Sequence, residues 1–225
     1  MNSSMPKILF EDSSIIILSK PAGFAAQSAN VGQKDCVSFL KEHLAASTSR
    51  KSGEPYVGVV HRLDQPVAGL LVFAKTKEAA ALLSKQVQNG VMNKHYVALV
   101  EGIIDEPDGR QLCNYIGKDP KTKNAFIANS PEESIQVREA KLIYRTDKIL
   151  RDKNETILSI DLITGRFHQI RAQLSHMGHP IVGDRRYGAA SSYPNGIALA
   201  ADRLEFMHPL SGEKVEKIVD FSFCL

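Results

Sequence analysis

The chain has 225 residues, 43% of them hydrophobic, which excludes a mainly disordered polymer and suits one large domain or two small ones. Lys and Arg number 28 against 25 Asp and Glu, a formal charge of +3, so totals alone announce no polyanion partner and the distribution of charge must carry that argument. Cys36, Cys113 and Cys224 form no C-x-x-C pair, which argues against a disulfide framework or a zinc site; with no basic-then-apolar leader and no stretch near the ~18 apolar residues of a membrane span, the sequence reads as soluble, unsecreted and cytoplasmic.

In chain order, "KILFED" and "SIIILSKPAG" are β-rich runs separated by Asp12-Ser13, which predicts a hairpin closing at a Pro-Ala-Gly turn. "CVSFLKEHLAA" carries Val37, Leu40 and Leu44 at helical spacing, and "STSRKSGEPY" behind it reads as a basic loop suited to a polyanion. Strand "YVGVVH", a turn and strand "GLLVFAKT" follow, then a helix over "KEAAALLSKQVQNG" with Thr76 as N-cap and Gly90 beyond its end. "KHYVALVEGII" resumes β character, 105–130 reads as short strands around the exposed basic turn "GKDPKTKN", and "AKLIYRT" and "ETILSIDLIT" read as paired strands. A helix is predicted over "RFHQIRAQLSHM", opening after Thr164-Gly165, and "IALAADRLEFMHP" and "EKIVDFSF" close the chain as strands. The expected fold is α+β, a mixed and mainly antiparallel sheet flanked by helices, in one domain over 1–225.

Chemistry is suggested where "VVHRLDQPVAGLLVFAK" carries His61, Arg62 and Asp64 into the seam between two apolar runs. A carboxylate taken out of water without a partner is costly, so either the seam is an exposed turn or Asp64 has a use. In the late helix, Phe167, Ile170, Leu174 and Met177 fall on one stripe while His168, Arg171 and Ser175 share an adjacent face. Arg166, His168, Gln169 and the helix N-terminus would suit a carboxylate or phosphate, or form a solvated polar face. A guanidinium from "HQIR" could hold Asp64 ionised and oriented; the alternative is a buried Asp-Arg pair that only holds two elements in register. His168, His176 and His179 match no metal spacing, and neither a phosphate-binding glycine loop nor a G-x-S-x-G elbow occurs.

"HRLD" with Gly69 and "LLVFAKT", "KHYVALVEG", "TGRFHQIRAQLSHMGHPIVGDRRYG" and "ALAADRLEFMHPLSGE", in that order, resemble the RluA-type pseudouridine synthases, and "ILFEDSSIIILSKPAG" resembles the start of their catalytic domain. The resemblance runs from Ile8 to about Val219. It implies the synthase catalytic-domain fold, RNA (ribosomal or transfer) as substrate and no cofactor; no metal, no membrane and no obligatory protein partner are expected from the sequence itself. It makes Asp64 the catalytic aspartate, Tyr96 the aromatic contact of the target uracil, Arg171 the partner of the aspartate and Leu199 the apolar residue below the tyrosine. His61, Arg62, Arg166, His168 and Gln169 are then candidate substrate contacts, Arg62 with a plain surface ion pair as its alternative. The family's small basic RNA-binding module in front of the catalytic domain is expected to be missing.

The chain departs from the family at Gln65, Pro66, Val67 and Ala68 after "HRLD", at Phe167 for a frequent Thr, at Ser19 for Asn and at Ala200 for His, which alters the walls of the cleft. The reaction such a family implies breaks the ribose–base bond, turns the uracil and rejoins it through carbon 5. A carboxylate at the sugar suits it, whether it adds to the sugar, adds to the base or abstracts a ribose proton. The target base would be flipped out. Arg50-Lys51, Lys118 to Lys123 and Arg185-Arg186 are candidates for flanking backbone, each otherwise a solvated turn. The rivals are a non-catalytic RNA-binding or ribosome-assembly protein on the same fold, and a base-removing glycosylase.

Overall fold

The computed structural model describes residues 5–28, 32–47, 53–133, 136–194 and 196–221. In chain order the elements are β1 (Lys7–Glu11), β2 (Ile15–Lys20), α1 (Cys36–Ser47), β3 (Gly58–Val59), β4 (Ala68–Ala74), α2 (Lys77–Gln88), β5 (Asn93–Glu101), β6 (Arg110–Lys118), β7 (Ala125–Ala128), β8 (Arg138–Leu150), β9 (Glu155–Leu162), α3 (Gln169–His176), β10 (Leu199–Met207) and β11 (Lys214–Ile218). Every strand pair whose register is described runs antiparallel. The chain clusters into two compact units, Met1–Met92 with Ala201–Asp220, and Asn93–Ala200 with Phe221–Leu225. Among the described residues no helix is long and apolar enough to cross a membrane.

In the first unit β1 and β2 form the predicted hairpin, with Lys7 opposite Ser19 and Glu11 opposite Ile16. The Asp12 carboxylate closes its turn by accepting from the Ser14 and Ile15 N–H groups at 2.7 and 2.8 Å. Next, β2 pairs with β4, placing Lys20 opposite Gly69, the first glycine after the Asp64 turn. Alternation puts Ile15 and Ile17 of β2 with Leu70, Val72 and Ala74 of β4 on one face, where Ala79 and Leu83 of α2 cover them. The Thr76 hydroxyl caps α2 by accepting from the Ala79 N–H at 3.1 Å, as its sequence predicts. The predicted strand "YVGVVH" is corrected: only Gly58 and Val59 pair with β4, and the chain leaves the sheet before His61. The basic loop behind α1, including Arg50-Lys51, lies largely outside the described residues.

The second unit carries the strand order β5-β9-β8-β6-β7. β8 and β9 form the expected pair, joined by a short turn in which Asn154 takes a left-handed conformation, and "GKDPKTKN" forms the turn from β6 into β7. Ala172 of α3 packs with Ile116, Ala125 and Ala140 of the sheet. This helix begins at Gln169, three residues later than its sequence pattern suggests. His168 sits at φ 50, off the helical path, so Phe167 drops out of the buried stripe and is 39% exposed, while Met177 is half-buried. The cause is local: Gln169 Oε1 accepts from the Arg166 N–H at 3.0 Å and the Thr164 hydroxyl at 2.8 Å, folding Thr164 to His168 into a turn.

Candidate active site

In the first unit, Asp64 opens a four-residue turn closed by the Val67 N–H donating to the Asp64 carbonyl at 3.0 Å, and Pro66 inside it has no N–H to satisfy. The side chain is half-buried while Leu63 and Val67 on either side are buried, so apolar neighbours anchor the turn in the core. His61 ties the approach to the turn to β4: its Nε2 accepts from the Val72 N–H at 3.1 Å, which leaves the ring proton of the neutral form on Nδ1. Arg62 is exposed.

Behind the turn lies a fully buried lysine. The Lys20 ammonium donates to the carbonyls of Phe24 at 2.8 Å and of Pro21 and Gln65 at 3.2 Å, and the Gly23 N–H also donates to the Gln65 carbonyl at 2.8 Å. Lys20 thus clamps the "KPAGF" bend onto the residue that follows Asp64. Burial pushes its pKa down to about 8, against the opposing pull of Cys36 and Asp64. Burial also drives the neighbouring Cys36 thiol up to about 12, so it stays a neutral, unreactive group.

In the second unit, Tyr96 is buried on β5 opposite Ile160 of β9, and Leu199 is buried at the start of β10. Arg171 of α3 is 4% exposed, and its guanidinium grips Asp184 with two prongs, Nε to Oδ2 at 2.7 Å and an Nη to Oδ1 at 2.9 Å. The guanidinium carbon also lies 4.9 Å from the centre of the Tyr187 ring. The Tyr187 hydroxyl accepts from the Ala125 N–H and lies 2.8 Å from His168 Nδ1, and burial raises its pKa. His168 stacks on Phe167 at 3.8 Å between ring centres, and the Lys118 ammonium sits 4.5 Å over the Phe167 ring.

Of the residues singled out from sequence, Arg171, His168, Gln169, Arg166, Tyr96 and Leu199 lie in this unit, and His61, Arg62 and Asp64 in the other. Gln169 and Arg166 are occupied in building it: the Gln169 amide N–H donates to the Lys141 carbonyl at 3.0 Å, and Arg166 Nε to the Glu139 carbonyl at 2.8 Å. Sequence reasoning missed Asp184, Tyr187 and Lys20. Asp184 was visible only as a carboxylate ending the apolar run "PIVG", and Lys20 as a charge inside a buried strand pattern, each a weak signal. Of the lysine-rich turn, Lys118 faces Phe167, and Arg186 donates to the carbonyls of Thr122 and Lys123, holding that turn against the segment after Asp184.

The family model described as RNA pseudouridylate synthase matches residues 14–176, more than half of the chain, and the chain belongs to that family. It is 36% identical over 222 residues to the ribosomal large subunit pseudouridine synthase D of Nitrosomonas europaea, covering 92% of this chain and 59% of that one. It is 32% identical over 212 residues to the dual-specificity RNA pseudouridine synthase RluA of Vibrio vulnificus, covering 91% and 79%. Among solved structures, human RNA pseudouridylate synthase domain containing 1 shares the fold at a TM-score of 0.78 and 20% identity, with 98% of this chain and 85% of that one covered.

Proposed function

We propose that this chain acts as one catalytic domain over 1–225 that isomerises uridine to pseudouridine in RNA, in the cytoplasm. The observation that carries this is that Asp64, Tyr96 and Arg171 all lie inside the family-matched span 14–176. In the reaction the C1′–N1 bond breaks, the C1′–C5 bond forms, C5 releases its proton to water and N1 takes one up. The atoms balance with no redox change, so no cofactor is needed for the stoichiometry. Asp64 supplies negative charge where the ribose becomes electron-poor. Tyr96 contacts the flipped uracil, Leu199 packs below it, and Arg171 orients the aspartate. Arg62, Arg166 and His168 meet the RNA, while His61 and Gln169 hold the loops that present them.

The names of the relatives, a ribosomal large subunit synthase and a dual-specificity RNA synthase, support ribosomal RNA as the first substrate to test and transfer RNA as the second. The test uses RNA from cells lacking the gene, labelled with tritium at uracil C5. The parent protein releases the label, and Asp64→Asn binds the same RNA and releases none. An Asp64→Asn variant that still turns over would remove the proposed role of the carboxylate. Free uracil with an abasic site would make the protein a glycosylase, and RNA binding without either product would make it a non-catalytic binder.

A further inference from the structure

On β5 the side chains alternate, so Lys94 points to the same face as Tyr96, two residues or about 7 Å along the strand. Lys94 is half-buried, and its ammonium lies beside Gly165: a Cβ at that glycine would sit 3.2 Å from Nζ. Gly165 thus leaves room for the ammonium beside the turn that leads through Arg166 and His168 into α3. Among the described residues Lys94 donates to no acceptor and pairs with no carboxylate, unlike its counterpart Lys20, whose charge is held by three carbonyls. The nearby carboxylate Asp161 faces His95 and Arg145 instead. Desolvation by burial is the cause that lowers the Lys94 pKa below its usual value. A partly desolvated cation without a counter-charge is a cost to the free protein, and an anionic ligand would offset it.

We infer that Lys94 binds a backbone phosphate of the RNA next to the target uridine. The inference rests on the reading of this chain as a pseudouridine synthase. RNA offers one formal anion per nucleotide, its phosphate, and the spacing from Lys94 to Tyr96 lies within the span of a nucleotide whose base meets the tyrosine. A phosphate held there anchors the backbone on which the uridine rotates out of its stack.

The experiment compares the parent with Lys94→Met, which keeps the aliphatic stem, and Lys94→Arg, which keeps the charge. Tritium release gives KM and kcat, and RNA affinity is measured against salt concentration. Lys94→Met is expected to raise KM about tenfold, as for loss of a charged hydrogen bond. Its kcat should hold within about twofold, the pattern of lost uniform binding. The slope of log affinity against log salt should fall by about 0.7, one single-strand phosphate contact. Lys94→Arg restores both quantities. Lys94→Met should melt at or above the parent temperature, since it removes a desolvated charge; if it melts well below, Lys94→Gln replaces it in the same comparison. Unchanged KM and salt slope, or a kcat loss with KM held, overturns the phosphate assignment, the second because it would place the ammonium on the departing base. Parent protein that binds RNA without releasing tritium overturns the synthase reading alone, because the salt slopes still judge Lys94. Parent protein that binds no RNA overturns both.

Discussion

Arg171 and Asp184 meet as a two-pronged pair at 2.7 and 2.9 Å, with side-chain exposures of 5% and 1%. The aspartate lies in the segment that follows α3, where its backbone carbonyl also accepts from the Tyr187 and Ala189 N–H groups. The pair therefore fixes both the direction of the guanidinium and the path of the chain that carries Tyr187. Asp184→Ala is expected to cost about 3–5 kcal/mol, since it leaves a buried guanidinium without this carboxylate. The check is the urea midpoint at unchanged slope; a midpoint equal to the parent's would show that the pair carries no stability.

Lys20 links stability to pH. Its folded pKa of about 8 lies below its ordinary 10.5, so between these values the unfolded chain holds a proton that the folded chain has shed. Stability from this group accordingly rises with pH across that window and is lost as pH falls through 8. Lys20→Met lacks the titration, and the stability difference, parent minus variant, is expected to grow by about 3 kcal/mol from pH 8 to 10.5. Cys36 stays protonated in the folded chain up to about 12 but titrates near its ordinary 9.0 in the unfolded one, so it lowers stability as pH rises; parent and Lys20→Met share that contribution, and it cancels in their difference. Denaturant curves at four pH values check it, and a flat difference refutes it.

Gly69, the second residue of β4 after the Asp64 turn, has φ at +133, and a Cβ there would lie 2.5 Å from the Ala201 nitrogen and oxygen. Both faults involve backbone, which cannot swing aside. Gly69→Ala is expected to destabilise by about 2–4 kcal/mol. Gly23→Ala, at φ +82 with open space, is expected to cost only about 1 kcal/mol for its left-handed backbone. Melting temperatures of the two variants side by side decide this.

Gln169 is 3% exposed and uses both amide atoms to hold the turn before α3. Gln169→Leu is expected to cost about 1–3 kcal/mol through the polar groups it leaves unsatisfied. Faster hydrogen exchange at the Arg166 amide should accompany it, and unaltered exchange would show that another group holds that N–H.

Local chemistry was legible in the sequence. The β1–β2 hairpin followed from two β-rich runs around Asp12, and α2 from its periodicity and the Thr76 cap, because hydrogen bonds between near neighbours and the spacing of apolar residues set such elements. The motifs around Asp64, Tyr96 and Arg171 likewise carried the family resemblance. Tertiary structure decided what each charge meets. Arg171 turned to Asp184, thirteen positions on, and Lys20 reached the Gln65 carbonyl across 45 positions. The same holds for the start of α3, where Gln169 Nε2 reaches the Lys141 carbonyl 28 positions back. Periodicity is a property of one segment, whereas desolvation and ion pairing depend on which distant segments the fold brings against it; a lone Asp or Lys in an apolar run marks a buried charge without saying which partner compensates it.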